Sequence, residues 1–288
     1  MRRFMALVAV AAAASFVAAH AGVANAAACG TVTSNTVLTA NCDAPLTIGA
    51  SGIFVDLNGH AVVCNAAVDG IDLANTWSWV RVRNGSVRGG TSTCTNGISV
   101  GGDSNQFSSL TVRGATGSGI YVSGNSNKFS SIDEAFATDA GFIAFGSWNS
   151  IASSTFSRNT DDGISFFVGT GGSVTNSLSF GNTDKGIISG QSNSRIVGNE
   201  SRGNGKGIWV SDGSTGTKVA FNVVRGNDTG IGISAHPTAG APPATQVTVF
   251  DNISIGNTTL DMFDVNTNCD ANSWMLNFFS TSNQSCIH

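Results

Sequence analysis

The stretch SGIYVSGNSNKFSSIDEAFATDAGFIA, Ser118 to Ala144, holds one phrase twice, SGIYV and AGFIA, with Gly119 and Gly141 set 22 residues apart. Working outward, the phrase recurs as DGIDL, NGISV, DGISF, KGIIS, KGIWV and TGIGI on Gly70, Gly97, Gly163, Gly186, Gly207 and Gly230. In chain order the eight glycines step by 27, 22, 22, 22, 23, 21 and 23 residues. A near-constant period of that size marks a stack of similar coils. A second column, Phe107, Phe129, Ile151, Val174, Ile196 and Val219, steps by 22, 22, 23, 22 and 23 and keeps the same register.

Within each unit the apolar residues alternate, as in Ile120 and Val122 or Ile208 and Val210, which is the period of a strand and not of a helix. The leucine framework of leucine-rich repeats is missing. The reading is an all-β, single-stranded right-handed parallel solenoid. Nine or ten coils at a spacing of about 4.8 Å would form a rod roughly 45 Å long. Asn105, Asn127, Asn149 and Asn193 also fall on multiples of the period, which predicts a stacked amide ladder.

The amino terminus reads as a secretory leader over residues 1–26: Arg2 and Arg3, an apolar run, then ANA at Ala24 to Ala26. Residues 27–288 are then one domain, and a secreted protein, extracellular or periplasmic, is expected. The AAAC before Cys29 lacks the leucine usual in a lipoprotein signal. Beyond the leader no run approaches the ~20 apolar residues of a membrane helix. All six cysteines follow the leader. An even number in an exported chain favours disulfides, and proximity pairs Cys29 with Cys42, Cys64 with Cys94, and Cys269 with Cys286. Without Arg2 and Arg3 the chain holds 12 basic and 18 acidic side chains, a balance that argues against nucleic acid as a partner.

With FVDLNGHAVVC (Phe54 to Cys64), the xGIxV units and the ending NCDANSWMLNFFSTSNQSC (Asn268 to Cys286), the chain resembles secreted bacterial right-handed parallel β-helix repeat proteins of the carbohydrate-binding, sugar-hydrolase and pectate-lyase-like kind. The resemblance implies an extracellular polysaccharide as partner. It does not choose among lyases, hydrolases, epimerases and adhesins built on the same fold. Polygalacturonase-like enzymes combine NTD and DD acids with GHG and RIK motifs. Here NTD occurs at Asn159 to Asp161 and at Asn182 to Asp184, while GHG and RIK are absent.

The acids form a column of their own. Asp139, Asp161, Asp184 and Asp228 stand two residues before their anchoring glycines, and Asp162, Lys185 and Lys206 stand one before. The first reading is a corner, because Asp, Asn and Gly are turn residues. The functional readings are a calcium site of the pectate-lyase kind on Asp139, Asp161 and Asp184, and a catalytic set of Asp161, Asp162, Asp184, Lys185, Arg202, Lys206 and Arg225. As in lyases, Arg202 and Arg225 would neutralise a uronate carboxylate or take its α proton. No cofactor is required, with calcium as the alternative.

If the first and third residues after each glycine point inward, the second and fourth face out. Tyr121, Ile143, Ile188, Trp209, Phe145 and Phe167 would then share one outer face, with Tyr121 and Trp209 as sugar-stacking platforms. The proline-rich His236 to Gln246 is a candidate wall beside them. Polysaccharide binding, with lyase chemistry favoured over hydrolysis if the protein is catalytic, stands against a non-catalytic surface, matrix or adhesive rod.

Overall fold

The computed structural model describes residues 24–26, 29–235, 241–269 and 271–288. The expected leader up to Val23 and the His236 to Gly240 part of the candidate wall lie outside the described residues. Ala24–Ala26, placed by the sequence at the cleavage site, forms a short strand paired with Thr36–Leu38. Cleavage after Ala26 would release that strand with the leader.

The chain coils into a parallel β-solenoid of an eleven-stranded and a nineteen-stranded sheet. The eleven-stranded sheet is built from the glycine-anchored phrases: Ile120, Phe142, Ile164, Ile187, Ile208, Ile231 and Met262 are register partners in successive coils. The nineteen-stranded sheet is folded along its length at a column of left-handed residues, among them Ser109, Ser131, Ser153, Asn176 and Gly198. Each coil therefore has three faces. Phe107, Phe129, Ile151, Val174, Ile196 and Val219 line the second face as partners, all buried. One continuous apolar core fills the solenoid.

The glycine column has a steric cause. A Cβ on Gly163 would lie 2.1 Å from Ser179 Oγ, and one on Gly207 2.3 Å from Val224 Cγ1. The third face packs so closely behind the phrase that only a hydrogen fits. All three disulfides expected from proximity are present, with Cα separations of 5.1, 5.2 and 5.9 Å. Two of them tie the ends of the solenoid. They fit an oxidising compartment.

Asn105, Asn127 and Asn149 form the expected ladder: the Asn105 and Asn127 amides each donate to the side-chain oxygen of the next asparagine, at 2.8 and 2.9 Å. Asn193 does not join. It is left-handed, as is Trp148, and sits one position out of register because one extra residue enters the intervening coil. Two longer ladders take over elsewhere. One runs through Asn199, Asn222, Asn252 and Asn277. The other runs through Asn159, Asn182, Asn204, Asn227 and Asn257. Each asparagine satisfies a buried corner amide that no strand can reach.

Candidate functional site

The last of these ladders settles the NTD motifs geometrically. Asn159 and Asn182 turn inward and are buried, so that Asp161, Asp162, Asp184 and Lys185 are held on the outside of the corner. Asp161, Asp162 and Asp184 each bring a carboxylate oxygen within 4.8 Å of the others. Asp139 is left out of that set and accepts a 2.8 Å hydrogen bond from Ser118 Oγ. The acidic cluster is thus displaced from the predicted trio, with Asp162 in place of Asp139.

Lys185 sits among these acids. Its ammonium donates to Asp184 Oδ2 and lies 3.5 Å from Asp162 Oδ1, while its backbone amide donates to Asp162 Oδ1 at 3.1 Å. Lys206, its register partner, reaches Asp184 Oδ1 at 3.8 Å. Burial pushes the Asp162 carboxyl up to about 6, against the pull of Lys185 and with a further push from Asp161. Asp161 is raised for the same reason, burial first, with Lys185 opposing and Asp139 and Asp184 adding. Burial works to lower Lys185, but Asp162 and Asp184 outweigh it and hold the ammonium above its ordinary value. The cluster therefore keeps one carboxyl that titrates near neutrality beside a firmly charged lysine.

On the adjoining outer sheet a groove of about 590 Å³ opens, lined among others by Asp184, Lys185, Lys206, Trp209, Ser234 and Phe263. Trp209 stacks on Phe263 with ring centres 5.8 Å apart and planes 10° from parallel. Gly232, the residue between them, makes this contact possible, because a Cβ there would lie 1.9 Å from the indole. The indole Nε1 donates to Ser234 Oγ at 2.7 Å, and the Lys206 ammonium stands 5.1 Å from the ring centre. Trp209 is only 9% exposed. It is a floor and wall of the groove, not the free-standing platform expected from the alternation, since the missing side chain of Gly232 lets the ring lie flat.

The remaining candidates lie apart. Tyr121 is four coils away on the same sheet, packed on Phe145, which packs on Phe167, each pair 5.5 Å between centres. Arg202 and Arg225 are partners on the third face, where both approach Glu200 Oε1, at 3.1 and 2.7 Å. They line a separate hollow with Gly203, Gly226 and Gly256. Of the seven catalytic candidates, five thus meet around the acidic corner and the groove, and the two arginines do not.

The cluster's oxygen donors and their spacing are compatible with a hard cation such as calcium. The Lys185 ammonium already pairs with two of the three carboxylates and offsets one of their charges.

Residues 96–252 match the family model of the right handed beta helix region, and the chain belongs to this family. No curated protein matches the sequence. Among solved structures it is similar to the mannuronan C-5 epimerase AlgE6 A-module of Azotobacter vinelandii, at 14% identity and a TM-score of 0.65, over 82% of this chain and 71% of that one. It is also similar to pectate lyase Pel9A, at 16% and 0.57 over 82% and 71%. A third likeness is to the Dettilon tailspike protein, at 13% and 0.54 over 85% and 62%. At these identities the likeness concerns the fold.

Proposed function

We propose that this protein is exported and binds an extracellular polysaccharide in the Trp209–Phe263 groove. The observation that carries the reading is the groove's composition: an aromatic floor beside Lys185, Lys206 and Asp184 in one concavity. Aromatic rings suit the C–H faces of sugars, and the ammonium groups suit an acidic polymer. Two of the structural neighbours bear the names of enzymes of mannuronan and pectate, which supports an acidic polysaccharide as the ligand.

If the groove also modifies its polymer, elimination or epimerisation at a uronate is favoured over hydrolysis. Hydrolysis needs two carboxyls flanking the glycosidic bond. Asp184 is the one acid among the lining residues, and its companions Asp161 and Asp162 gather on the same side. Removal of a proton next to a carboxylate needs that carboxylate neutralised and a base nearby. Lys206 and Lys185 supply the charge, and Asp184, the acid that lines the groove, is the candidate to take the proton, with Asp162, titrating near 6, behind it on the other side of Lys185. Calcium is the alternative neutraliser: Asp161, Asp162 and Asp184 would hold it once Lys185 swings aside, and it would shield a uronate carboxylate. The non-catalytic reading, an adhesive or matrix rod, is favoured by the fact that Lys185 is already satisfied by Asp162 and Asp184.

The deciding experiment incubates the purified protein with uronate and neutral polysaccharides, following unsaturated products, reducing ends, C-5 inversion by NMR, and retention in affinity electrophoresis. Retention by uronate polymers, lost in Lys206→Ala, supports the groove. Retention unchanged in that variant, or confined to neutral polymers, contradicts it. Chelation that lowers retention or melting temperature favours calcium. Indifference to chelation leaves Lys185 as the neutraliser.

A further inference from the structure

The corner that follows the eleven-stranded sheet reads SWVR, DSNQ, NSNK and SWNS in four successive coils, at 78–81, 103–106, 125–128 and 147–150. The second residue of each is left-handed: Trp79, Ser104, Ser126 and Trp148 have φ of 63°, 59°, 57° and 61°. In the flanking coils the same column holds Gly52, Gly171, Asn193 and Gly216. Glycine, serine and asparagine suit that conformation. Tryptophan has no short polar side chain to hydrogen-bond its own backbone there, so its presence calls for a functional explanation. This corner holds two.

Both indoles face solvent, Trp79 at 68% and Trp148 at 59% exposure. The Trp148 ring lies over Gly171 of the next coil, where a Cβ would stand 2.2 Å from its Cε3. Beneath the corner the backbone amides of Val80, Asn105 and Asn127 donate to the side-chain oxygens of Asn105, Asn127 and Asn149, at 2.8, 2.8 and 2.9 Å. That inner ladder begins behind Trp79 and ends behind Trp148. On the outside, Asp103 Oδ1 accepts from the Asn125 backbone amide at 2.6 Å, and Asn125 Oδ1 from the Ser147 amide at 2.8 Å. The two rings therefore stand on a backbone fixed from both sides, three coils or roughly 14 Å apart.

The surface between them is polar. Ser104, Asn125 and Ser126 fill the gap, and exposed Arg81, Gln106 and Lys128 run along one flank as register partners. Among the described residues neither Arg81 nor Lys128 has an ion-pair partner. These two cations against the one acid, Asp103, give the corner a positive balance in an acidic chain. A protein partner asks for an apolar centre depleted of charge. Here hydroxyls, amides and cations keep the rings apart. A sugar polymer presents C–H faces at intervals with hydroxyls between them, and its carboxylates suit the free cations.

We propose that this corner is a second saccharide-binding surface. It takes an acidic polysaccharide laid along the rod, with sugar rings on Trp79 and Trp148 and carboxylates toward Arg81 and Lys128. It borders the opposite edge of the eleven-stranded sheet from the acidic corner and shares no residue with the Trp209 groove. The inference does not rest on that groove, and either site can bind without the other.

The test follows the indole N–H resonances by NMR as oligouronates prepared from pectate and alginate are added to the purified protein. Trp79 and Trp148 are expected to shift together, in the Lys206→Ala variant as well, while the buried Trp274 stays in place. Trp79→Asn and Trp148→Asn suit the left-handed corner, so melting temperature should hold or rise while binding, read at the remaining indole, weakens about fivefold. Arg81→Ala with Lys128→Ala should weaken it at least as much. Shifts at Trp79 and Trp148 without one at Trp209 support the corner and count against the groove. A shift at Trp209 alone overturns the proposal and leaves the groove standing. The proposal also fails if neutral oligosaccharides move the two indoles equally, or if Trp148→Asn lowers the melting temperature and leaves binding unchanged, which would make Trp148 a packing residue.

Discussion

The outer face of the eleven-stranded sheet has two halves that follow the same repeat and arrive at different surfaces. Around Tyr121, Phe145 and Phe167 the rings pack tilted against one another, 40° and 57° from parallel, as a shallow strip ending in an exposed Phe167. Around Trp209 and Phe263 the rings lie flat over Gly232, and a charged rim closes round them. One glycine, at a position occupied by Tyr121, Ile143 and Ile188 elsewhere, separates a strip from a groove. Alternation fixes which side chains face outward. What fills the neighbouring coil fixes whether a surface can hold a ligand.

The interiors beneath the two halves differ as well. At one inward position of the third face the carboxyl-terminal half carries Ser179, Ser201, Val224 and Ser254, and each serine donates its hydroxyl to a backbone carbonyl. The earlier half carries Glu134, fully buried. Its Oε2 accepts from Asn159 Nδ2 at 2.9 Å, and its Oε1 has no partner. Burial pushes this carboxyl from 4.5 up to about 8, with Asn159 and Arg113 opposing. The Asn159 ladder thus starts from Glu134, and at its far end Asn257 donates to Asp261.

The largest expected effect follows from that carboxyl. The folded state keeps the proton that the unfolded chain releases near 4.5, so Glu134 contributes fully below that pH and its contribution is lost as pH rises through about 8. The span corresponds to several kcal/mol at most, or roughly 1.4 kcal/mol per pH unit. Melting temperature should fall between these limits, and Glu134→Gln should flatten the profile and raise stability at alkaline pH. An unchanged slope in the variant would show that the titration lies elsewhere.

Next in size is the contrast between the two aromatic sites. Trp209→Ala should cost about 3 kcal/mol in denaturant unfolding, because it empties a packed position. Tyr121→Ala, on the half-buried strip, should cost under ~1 kcal/mol. Equal costs would erase the distinction between strip and groove.

A smaller effect concerns the corner acids. Asp162, raised to about 6, favours its protonated form at low pH; its contribution to stability is complete below 3.8 and lost as pH rises through about 6. Lys185→Met removes the ammonium that opposes this shift and should move the NMR titration of Asp162 upward. A downward move would mean that Lys185 does not govern it.

Much of the fold is legible in the chain because a solenoid repeats its constraints: the glycine must recur wherever the third face presses on it, and the alternation recurs with it. The site was less legible. The Asn159 ladder steps by 23, 22, 23 and 30 residues and stands four residues before Gly163 and Gly186 but three before Gly207 and Gly230, so alignment on the glycine blurs it. Asn159 and Asn182 read as parts of a hydrolase motif when they are corner hydrogen-bonding residues. A step count on asparagine alone would have found the column. Alternation places Trp209 outside because it carries no information about a neighbour's missing side chain, and no motif or column in the sequence singles out Glu134.

The most direct measurement is hydrogen exchange of the protein with and without a uronate oligosaccharide, in parallel with the Gly232→Ala variant, whose added methyl must displace the indole. The groove predicts added protection at Lys206–Val210 and Leu260–Asp264, none at Ile98–Val100, and loss of that protection in the variant. Protection absent from the groove strands, or surviving unchanged in Gly232→Ala, would contradict the account.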